Sequence, residues 1–494
     1  MSPSADSSGA SATIHSSNKD GEKTIGSSKL TTTEADEAIA RFQTFLRFET
    51  ISATAPSTGE YKKCAEFLRD ELQSIKKNDT EKTQLLQDVH LLPEAPDHSP
   101  VVVAHWLGKD PTLPVLLLNS HYDVVPADVE AWTVPPFGAI RSEDGKIYGR
   151  GTQDMKCVCM QYIEAIRQLA SRTTTDDDSE WRPERTIYLT FVPDEEIGGA
   201  GMAAFLDSNL YKNTIPGIAL ALDEGLASTT DVFDVFYGER LPWWVEIKAT
   251  GPTGHGSRFI ENTAVEQLLL LSKKAMAFRK GQRDKLEMKH TENCTHVVIA
   301  KNKKTLGDVT SLNITTLQAG VQVGDTFAFN VVPSLAKCSL DIRISPNMRP
   351  QEMKDLLDMW CMECSMAPEE GSKVTWKSVS DKYENGMDHA TTEIDRTINP
   401  WYASFCDALE QMGYKVSPQV FPAATDSRFL RALGIRALGF SPMRNTEIML
   451  HEHDEYILES NFLEGIEVYV GLIRSLGSQT KDIDQLAGTK RKNV

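Results

Sequence analysis

What this sequence is short of excludes several classes of protein at once. No run of about 18 apolar residues occurs, the length a membrane-crossing helix needs. The opening stretch MSPSADSSGASATIHSSNKDGEKTIGSS has no apolar segment and no arginine, so neither a secretory signal nor a transit peptide is expected. Its Ser/Gly/Thr-rich composition predicts a disordered tail over residues 1–30. Cysteine is sparse, 8 in 494 residues, too few for a disulfide framework. Cys361 and Cys364 form a CxxC, but on a predicted helix with no second pair nearby, which reads as helix-face thiols. A reducing compartment follows, so a cytoplasmic location is expected. Basic charge is scarce as well: 52 Lys and Arg face 70 Asp and Glu, a net charge of −18. That argues against a nucleic-acid surface, so neither nucleic acid nor membrane is expected as a partner.

What remains is ordinary globular composition, 40% hydrophobic and 25% charged, on a chain long enough for two or three domains. EADEAIARFQTFLRF and EYKKCAEFLRDELQSI carry apolar residues at helical spacing. VHLLP, PVVVAHWLG and PVLLLNSHYD read as strands, with LGKDP as a hairpin turn between the last two. MKCVCMQYIEAIRQLA reads as a long helix, TTTDDDSEWRPER as a charged loop, TIYLTFVP and GIALALDEG as buried strands. The alternation predicts an α/β fold around a mostly parallel sheet.

Near residue 239 the pattern changes. PWWVEIKATG, SLNITTLQAG, TFAFNVVP, AKCSLDIRIS and KVTWKSVSD alternate apolar and polar residues, as half-exposed strands do. TAVEQLLLLSKKAMAFRK and QEMKDLLDMWCMEC are helices, and KGQRDKLEMKHTENCTH is a polar connector. This is the rhythm of a small antiparallel α+β domain inserted into the larger one. The expected organisation is a tail at 1–30, a catalytic domain at 31–238 and 397–480, an inserted domain at 239–396, and a flexible C-terminal tail at 481–494.

The strand ends carry the chemistry, because α/β proteins bind ligands there. LLLNSHYD offers His121 and Asp123, GRGTQDMK offers Asp154, and TFVPDEE offers Glu195 and Glu196. ALALDEG offers Asp223 and Glu224, and EIMLHEHDE offers His451, His453 and Asp454. Each segment alone reads equally well as a turn or a solvated end. Together they supply imidazole and carboxylate but no thiolate, which suits a catalytic divalent ion rather than a closed structural site. Neighbouring side chains of an extended segment diverge, so Glu195 and Glu196 can serve different purposes. Asp194 reads as a turn residue, and Gly198 and Gly199 as the sharp exit from the strand.

HYD, GRGTQDMK, DEE and LDEG followed by HEHDE, in that order, resemble the M20 family of di-zinc metallopeptidases. DMKCVCMQYIEA, FYGERLPWWV, GHGSRF, PAATDSR and ALGFSPM resemble its N-acyl-L-amino acid amidohydrolases in particular. The resemblance spans about residues 35–478. It implies two zinc ions per subunit, with Asp154 bridging them. His121 and Glu224 would complete one site, with Asp223 an alternative. Glu196 and His451 would complete the other, with His453 an alternative. Glu195 would be the catalytic base acting on a metal-bridging water. Asp123 would orient the His121 ring.

By the same resemblance, the inserted domain is a ferredoxin-like lid that also carries the interface of a homodimer. His255 would donate to the oxyanion from the partner subunit. Asn330 and Arg343 would hold substrate, Arg343 through the free carboxylate. Thr425, Asp426 and Arg428 would line the site. The implied reaction is hydrolysis of a small-molecule N-acyl-L-amino acid to an L-amino acid and a carboxylate. The alternative is a dipeptidase or carboxypeptidase with the same metal site.

Overall fold

The computed structural model describes residues 30–78, 81–171, 181–287, 304–379 and 389–486. Most of the expected N-terminal tail, residues 172–180 in the charged loop, 288–303 in the connector, 380–388 and 487–494 lie outside the described residues. The expected flexible tail does not begin at 481: Lys481–Leu486 form a helix, anchored by buried Ile483 and by the Arg185–Asp484 ion pair.

Helix α1 (Thr32–Leu46) opens on a capping box between Thr31 and Glu34 and buries Ala38, Ile39, Phe42, Phe45 and Leu46. Helix α2 (Glu60–Ser74) buries Tyr61, Cys64, Ala65, Leu68 and Leu72 on one face. Strands β1 (Gln87–Leu91), β2 (Val102–Trp106), β3 (Val115–His121) and the short β4 (Lys146–Tyr148) follow. Then come α3 (Lys156–Ser171), β5 (Ile187–Val192), α4 (Ala200–Asp207), β6 (Ile218–Asp223) and β7 (Val232–Glu239).

The next segment builds a second sheet. It comprises β8 (Leu241–Thr250), α5 (Ala264–Glu287), β9 (Ser311–Ala319), β10 (Leu335–Ile344), α6 (Pro350–Cys364) and β11 (Val374–Ser378). The chain then returns through α7 (Pro400–Gln411), β12 (Lys415–Phe421), α8 (Ser427–Ala432), β13 (Ala437–Gly439), β14 (Tyr456–Leu458) and α9 (Glu459–Gly477).

The large sheet has eight strands in the order β12-β7-β13-β6-β3-β5-β2-β1. Its centre, β13-β6-β3-β5, is parallel, as is β7 with β12. β7 with β13, β5 with β2 and β2 with β1 are antiparallel. The sheet is therefore mixed, with four parallel and three antiparallel pairings. The expected hairpin at LGKDP does not form, because β5 lies between β2 and β3. Lys109 N–H and Asp110 N–H donate instead to the Pro183 and Glu184 carbonyls leading into β5.

Alternate residues of each central strand serve opposite faces. Leu116 and Leu118 of β3 pack with α1, α3, α7 and α9 residues such as Phe42, Ile163, Phe405 and Ile466. Val115 and Leu117 pack on the other face with Met202, Phe205 and Leu430 of α4 and α8. Helices thus cover both faces, and a strand buried on both sides must be apolar throughout.

The second sheet is four-stranded and antiparallel, in the order β9-β10-β8-β11. It has its own apolar cluster, including Val245, Ile247, Leu268, Leu271, Leu340, Ile342, Met353 and Leu357. TFAFNVVP does not form one ladder strand: it breaks into pairs at Thr326–Phe327 and Val331–Val332. α5 runs on to Glu287, past the expected start of the connector. Lys280 with Asp284 and Arg283 with Glu287 are spaced four apart and support that last stretch. No helix among the described residues is long and apolar enough to cross a membrane.

Candidate active site

β3, β5 and β6 run parallel, and His121 pairs in register with Val192, so their C-terminal ends meet along one edge. There the apolar runs stop and the polar residues begin. His121 is buried, and its Nδ1 lies 3.0 Å from the Asp123 carbonyl oxygen. A carbonyl only accepts, so Nδ1 carries a hydrogen there, and Nε2 is the nitrogen turned toward the carboxylates. That Nε2 lies 3.1 Å from Asp154 Oδ1 and 3.5 Å from Glu224 Oε2. His451 Nε2 lies 3.2 Å from Asp154 Oδ2 and 3.3 Å from Glu196 Oε2. Asp154 thus offers one oxygen to each histidine. His451 itself sits in the left-handed region, φ 62°, on a loop before β14.

Ligand atoms of His121, Asp154 and Glu196 lie within 4.8 Å of one another, as do those of His121, Glu195 and Glu224. The second grouping adds Glu195, which the sequence reading kept apart as a base. Between the alternatives at 223 and 224, the structure brings Glu224 to the cluster. Asp223 faces the sheet, accepting from Asn119 Nδ2 at 2.9 Å and Ser427 Oγ at 2.7 Å. His453 is exposed and outside the cluster.

Asp123 does more than face the ring. Its Oδ1 lies 3.4 Å from His121 Nδ1, farther than its own backbone carbonyl. The carboxylate accepts from the Glu195 and Glu196 backbone N–H groups, both at 3.2 Å, and from Ser52 Oγ at 2.8 Å. It therefore anchors the turn that displays both glutamates. Asp194 has φ 65° and accepts from Tyr61 OH at 3.0 Å. Gly199, φ +76°, admits no side chain: a Cβ there would stand 2.4 Å from the Phe429 ring and 2.7 Å from Asp426 Oδ1. The Tyr122 hydroxyl points away from the cluster and donates to the Pro100 carbonyl at 2.5 Å.

The electrostatics are those of a site short of positive charge. Burial pushes Glu224 well above the usual carboxylate range. Burial and then repulsion from Glu224 do the same to Glu195. Burial and Asp154 push Glu196 up to about 7. For Asp154 burial is outweighed by hydrogen bonds from His121 and His451, and its carboxyl is lowered. Hydrogen bonds to Asp154 and Glu196 raise His451 to about 10. Glu196 Oε1 is buried with no hydrogen-bond donor. Carboxylate and imidazole donors, one shared carboxylate and an orphaned buried oxygen all fit a pair of divalent cations.

Around the cluster, Arg428 Nη1 lies 3.4 Å from Glu195 Oε1 and donates to the Thr425 carbonyl at 2.8 Å. Thr425 N–H donates to Glu239, which also pairs with Arg431. Asp426 is buried with no donor on either oxygen, and burial followed by repulsion from Asp223 pushes it up to about 8. His255 and Asn330 come together in the second unit, where His255 pairs with Val331 and Gly256 N–H donates to the Asn330 carbonyl at 2.7 Å. Both are exposed. Arg343 on β10 is held by Asp341, at 2.8 and 3.1 Å. Among the described residues, none of these three makes a hydrogen bond or ion pair with the carboxylate–histidine cluster.

Sequence reasoning passed over Glu455, a fully buried carboxylate in the HEHDE segment. A segment with two histidines drew attention to its ligands. The signal that could have found Glu455 is its nearness to them.

Fold and site together define a metal-dependent hydrolase. The chain belongs to peptidase family M20/M25/M40, whose model matches residues 117–475. Among curated relatives, aminoacylase-1 of Dictyostelium discoideum is 44% identical over 382 residues, 76% of this chain and 86% of the relative. Aminoacylase-1 of Homo sapiens is 40% identical over 380 residues, 76% of this chain and 84% of the relative. The fold is shared with human carnosine dipeptidase 1, at TM-score 0.60 and 16% identity, covering 90% of this chain and 97% of the other. It is shared too with the M20 metallo-carboxypeptidase Sso-CP2 of Sulfolobus solfataricus, at TM-score 0.59 and 19% identity, covering 90% and 99%.

Proposed function

We propose that the protein is a zinc-dependent N-acyl-L-amino acid amidohydrolase holding two zinc ions per subunit. The site observation that carries this is Asp154, whose two oxygens face His121 and His451 separately. The substrate class rests on similarity to the aminoacylases. His121, Asp154 and Glu224 would hold one ion, and Asp154, Glu196 and His451 the other. Bound there, zinc supplies Lewis acidity towards a carbonyl and lowers the pKa of water to about 7.

Glu195 takes the proton of the attacking water and passes it to the leaving nitrogen. Its contact with Arg428, 3.4 Å away, favours the ionised form that can accept a proton. Asp123 holds the Glu195–Glu196 turn and the His121 ring in place. His255 Nδ1 accepts from Ser257 N–H at 3.2 Å, so the neutral ring carries its hydrogen on Nε2, free to donate to an oxyanion. Asn330 beside it would bind substrate, and Arg343 would exchange Asp341 for the substrate carboxylate.

The unit at 239–396 is a ferredoxin-like lid inserted between catalytic segments 31–238 and 397–480. Its strand–helix–strand–strand–helix–strand order supports that reading. It is also the proposed homodimer surface: β9 is an edge strand, and Leu269, Leu317, Val323, Phe327 and Phe329 are exposed.

The test is hydrolysis of N-acetyl-L-methionine by zinc-loaded protein, beside an unblocked dipeptide and after chelation. The expected result is release of methionine from the acetylated substrate, lost on chelation and restored by zinc. Cleavage of the dipeptide alone would replace this substrate reading with the dipeptidase one.

A further inference from the structure

Glu455 lies four residues after His451, and its carboxylate is fully buried. The loop 150–154 wraps around it. Oε2 accepts from Arg150 Nη1 at 2.8 Å and Gly151 N–H at 3.2 Å. Oε1 accepts from Gln153 N–H at 2.7 Å, Thr152 Oγ1 at 3.3 Å and Asp154 N–H at 3.4 Å. A carboxylate from the His451 segment thus gathers the backbone of the loop that ends in Asp154.

The grip is returned. Arg150 Nη2 donates to the His451 carbonyl at 3.4 Å, and its Nη1 to the Glu452 carbonyl at 3.2 Å. Gln153 Nε2 donates to the Glu447 and Tyr456 carbonyls, at 3.0 and 2.8 Å, and its Oε1 accepts from Met449 N–H at 3.0 Å. Two segments about 300 residues apart in sequence are interlocked around one buried ion pair.

The reason for so much fixation lies next door. His451 is half-exposed on a left-handed turn, so its own packing does little to hold it. Asp154, Glu196, Glu195 and Glu224 repel one another, which spreads the loops that carry them. Donors already held at the right separation bind an ion more tightly than donors the ion must first gather.

We propose that Glu455, together with Arg150, is a positioning residue that fixes the distance between Asp154 and His451, and so sets the affinity of the cation position they share with Glu196. This rests on the metal roles proposed above. Glu455 touches neither ion nor substrate.

The test compares full-length wild type with Glu455→Gln, which keeps the shape but replaces one acceptor oxygen by an amide that faces N–H donors. Zinc affinity is read by competition with a chromophoric chelator, and coordination by the visible spectrum of the cobalt-substituted protein. A folded Glu455→Gln should keep one tight ion and bind the second about 10–100-fold more weakly, the usual scale for such partners. The cobalt spectrum should change, kcat should fall more than KM rises, and Glu455→Asp should recover part of the loss. Both affinities within twofold of wild type, in a folded variant, would overturn the proposal.

If Glu455→Gln does not fold, Arg150→Lys decides. It keeps the charge but loses the fork that reaches both Glu455 and the His451 carbonyl. Weakening of the second ion supports the clamp, and unchanged affinities overturn it. Wild type that binds two zincs without cleaving N-acyl amino acids would sink the substrate reading and leave this comparison intact. Wild type that binds none would sink the metal reading and the clamp with it.

Discussion

Glu195 and Glu196 are adjacent in the chain, yet their carboxylates keep different company. Glu196 Oε2 lies 3.3 Å from His451 Nε2, whereas Glu195 Oε1 lies 3.4 Å from Arg428. Both backbone N–H groups are fixed by one side chain, Asp123. The carboxylate triplet at the end of β5 is therefore a branching point. Asp194 makes the turn, Glu195 turns toward the positive charge of Arg428, and Glu196 faces the second histidine.

Replacing Glu195 by Gln should leave two zincs bound and lower kcat by about 10²–10⁴-fold, the range for loss of a general base. Metal analysis alongside steady-state kinetics checks this. Loss of a zinc from the variant would move Glu195 into the ligand set, as its closeness to His121 and Glu224 allows.

Asp123→Asn replaces one of the two oxygens that hold the glutamate turn with an N–H₂ group facing an N–H. Zinc affinity and kcat should both fall, the first by about 10–100-fold. Chelator competition and kinetics on the same preparation would separate the two effects.

His255 should act across a dimer. Glu195→Gln and His255→Ala are each expected to be nearly inactive alone. Mixing them under conditions that exchange subunits should restore activity, because some mixed dimers pair an intact Glu195 with a partner's intact His255. No recovery from subunits shown to exchange would place His255 in its own subunit's site.

Arg343→Lys should raise KM for substrates with a free carboxylate and leave kcat nearly unchanged, since a lysine cannot match the planar bidentate geometry. Asp341→Asn should lower KM, because Asp341 now occupies the guanidinium that the substrate would claim. Both are read from saturation curves.

Asp234 gives a pH test remote from the cluster. Burial pushes its carboxyl up from 3.8 to about 6, against an opposing hydrogen bond from Ser228. The folded state then binds the proton more tightly than the unfolded chain. The group favours folding less and less as pH rises from about 4 to 6, and its cost is constant above that. Asp234→Asn should therefore raise Tm at pH 8, with the gain shrinking toward pH 4. A constant difference across that range would contradict it.

Much of the site was legible because strands buried on both faces must be apolar, so a polar residue at their end stands out. His121, Glu195, Glu196 and Glu224 were visible in this way. The parts that were not legible depend on who neighbours whom. Periodicity cannot show that β5 enters between β2 and β3, which removed the expected hairpin at Leu107–Pro111. Nor can it say which of Asp223 and Glu224 faces inward, since Asn119 and Ser427 decide that from other strands. Glu455 was missed for the same reason: a carboxylate at the end of a charged segment looks solvated until the loop that buries it is in place.

β13 lies between β6 and β7 in the large sheet, although it is read from the chain about 200 residues later. A growing chain that has made β3, β5, β6 and β7 still has an open slot in the middle of its sheet. His451 and Glu455 arrive later still. A fragment that ends before β13 therefore carries His121, Asp154 and Glu224 but neither His451 nor Glu455. The His451 and Glu455 segment can take its place beside Asp154 only after residue 455 has been made, so this cluster is among the last parts of the molecule to close.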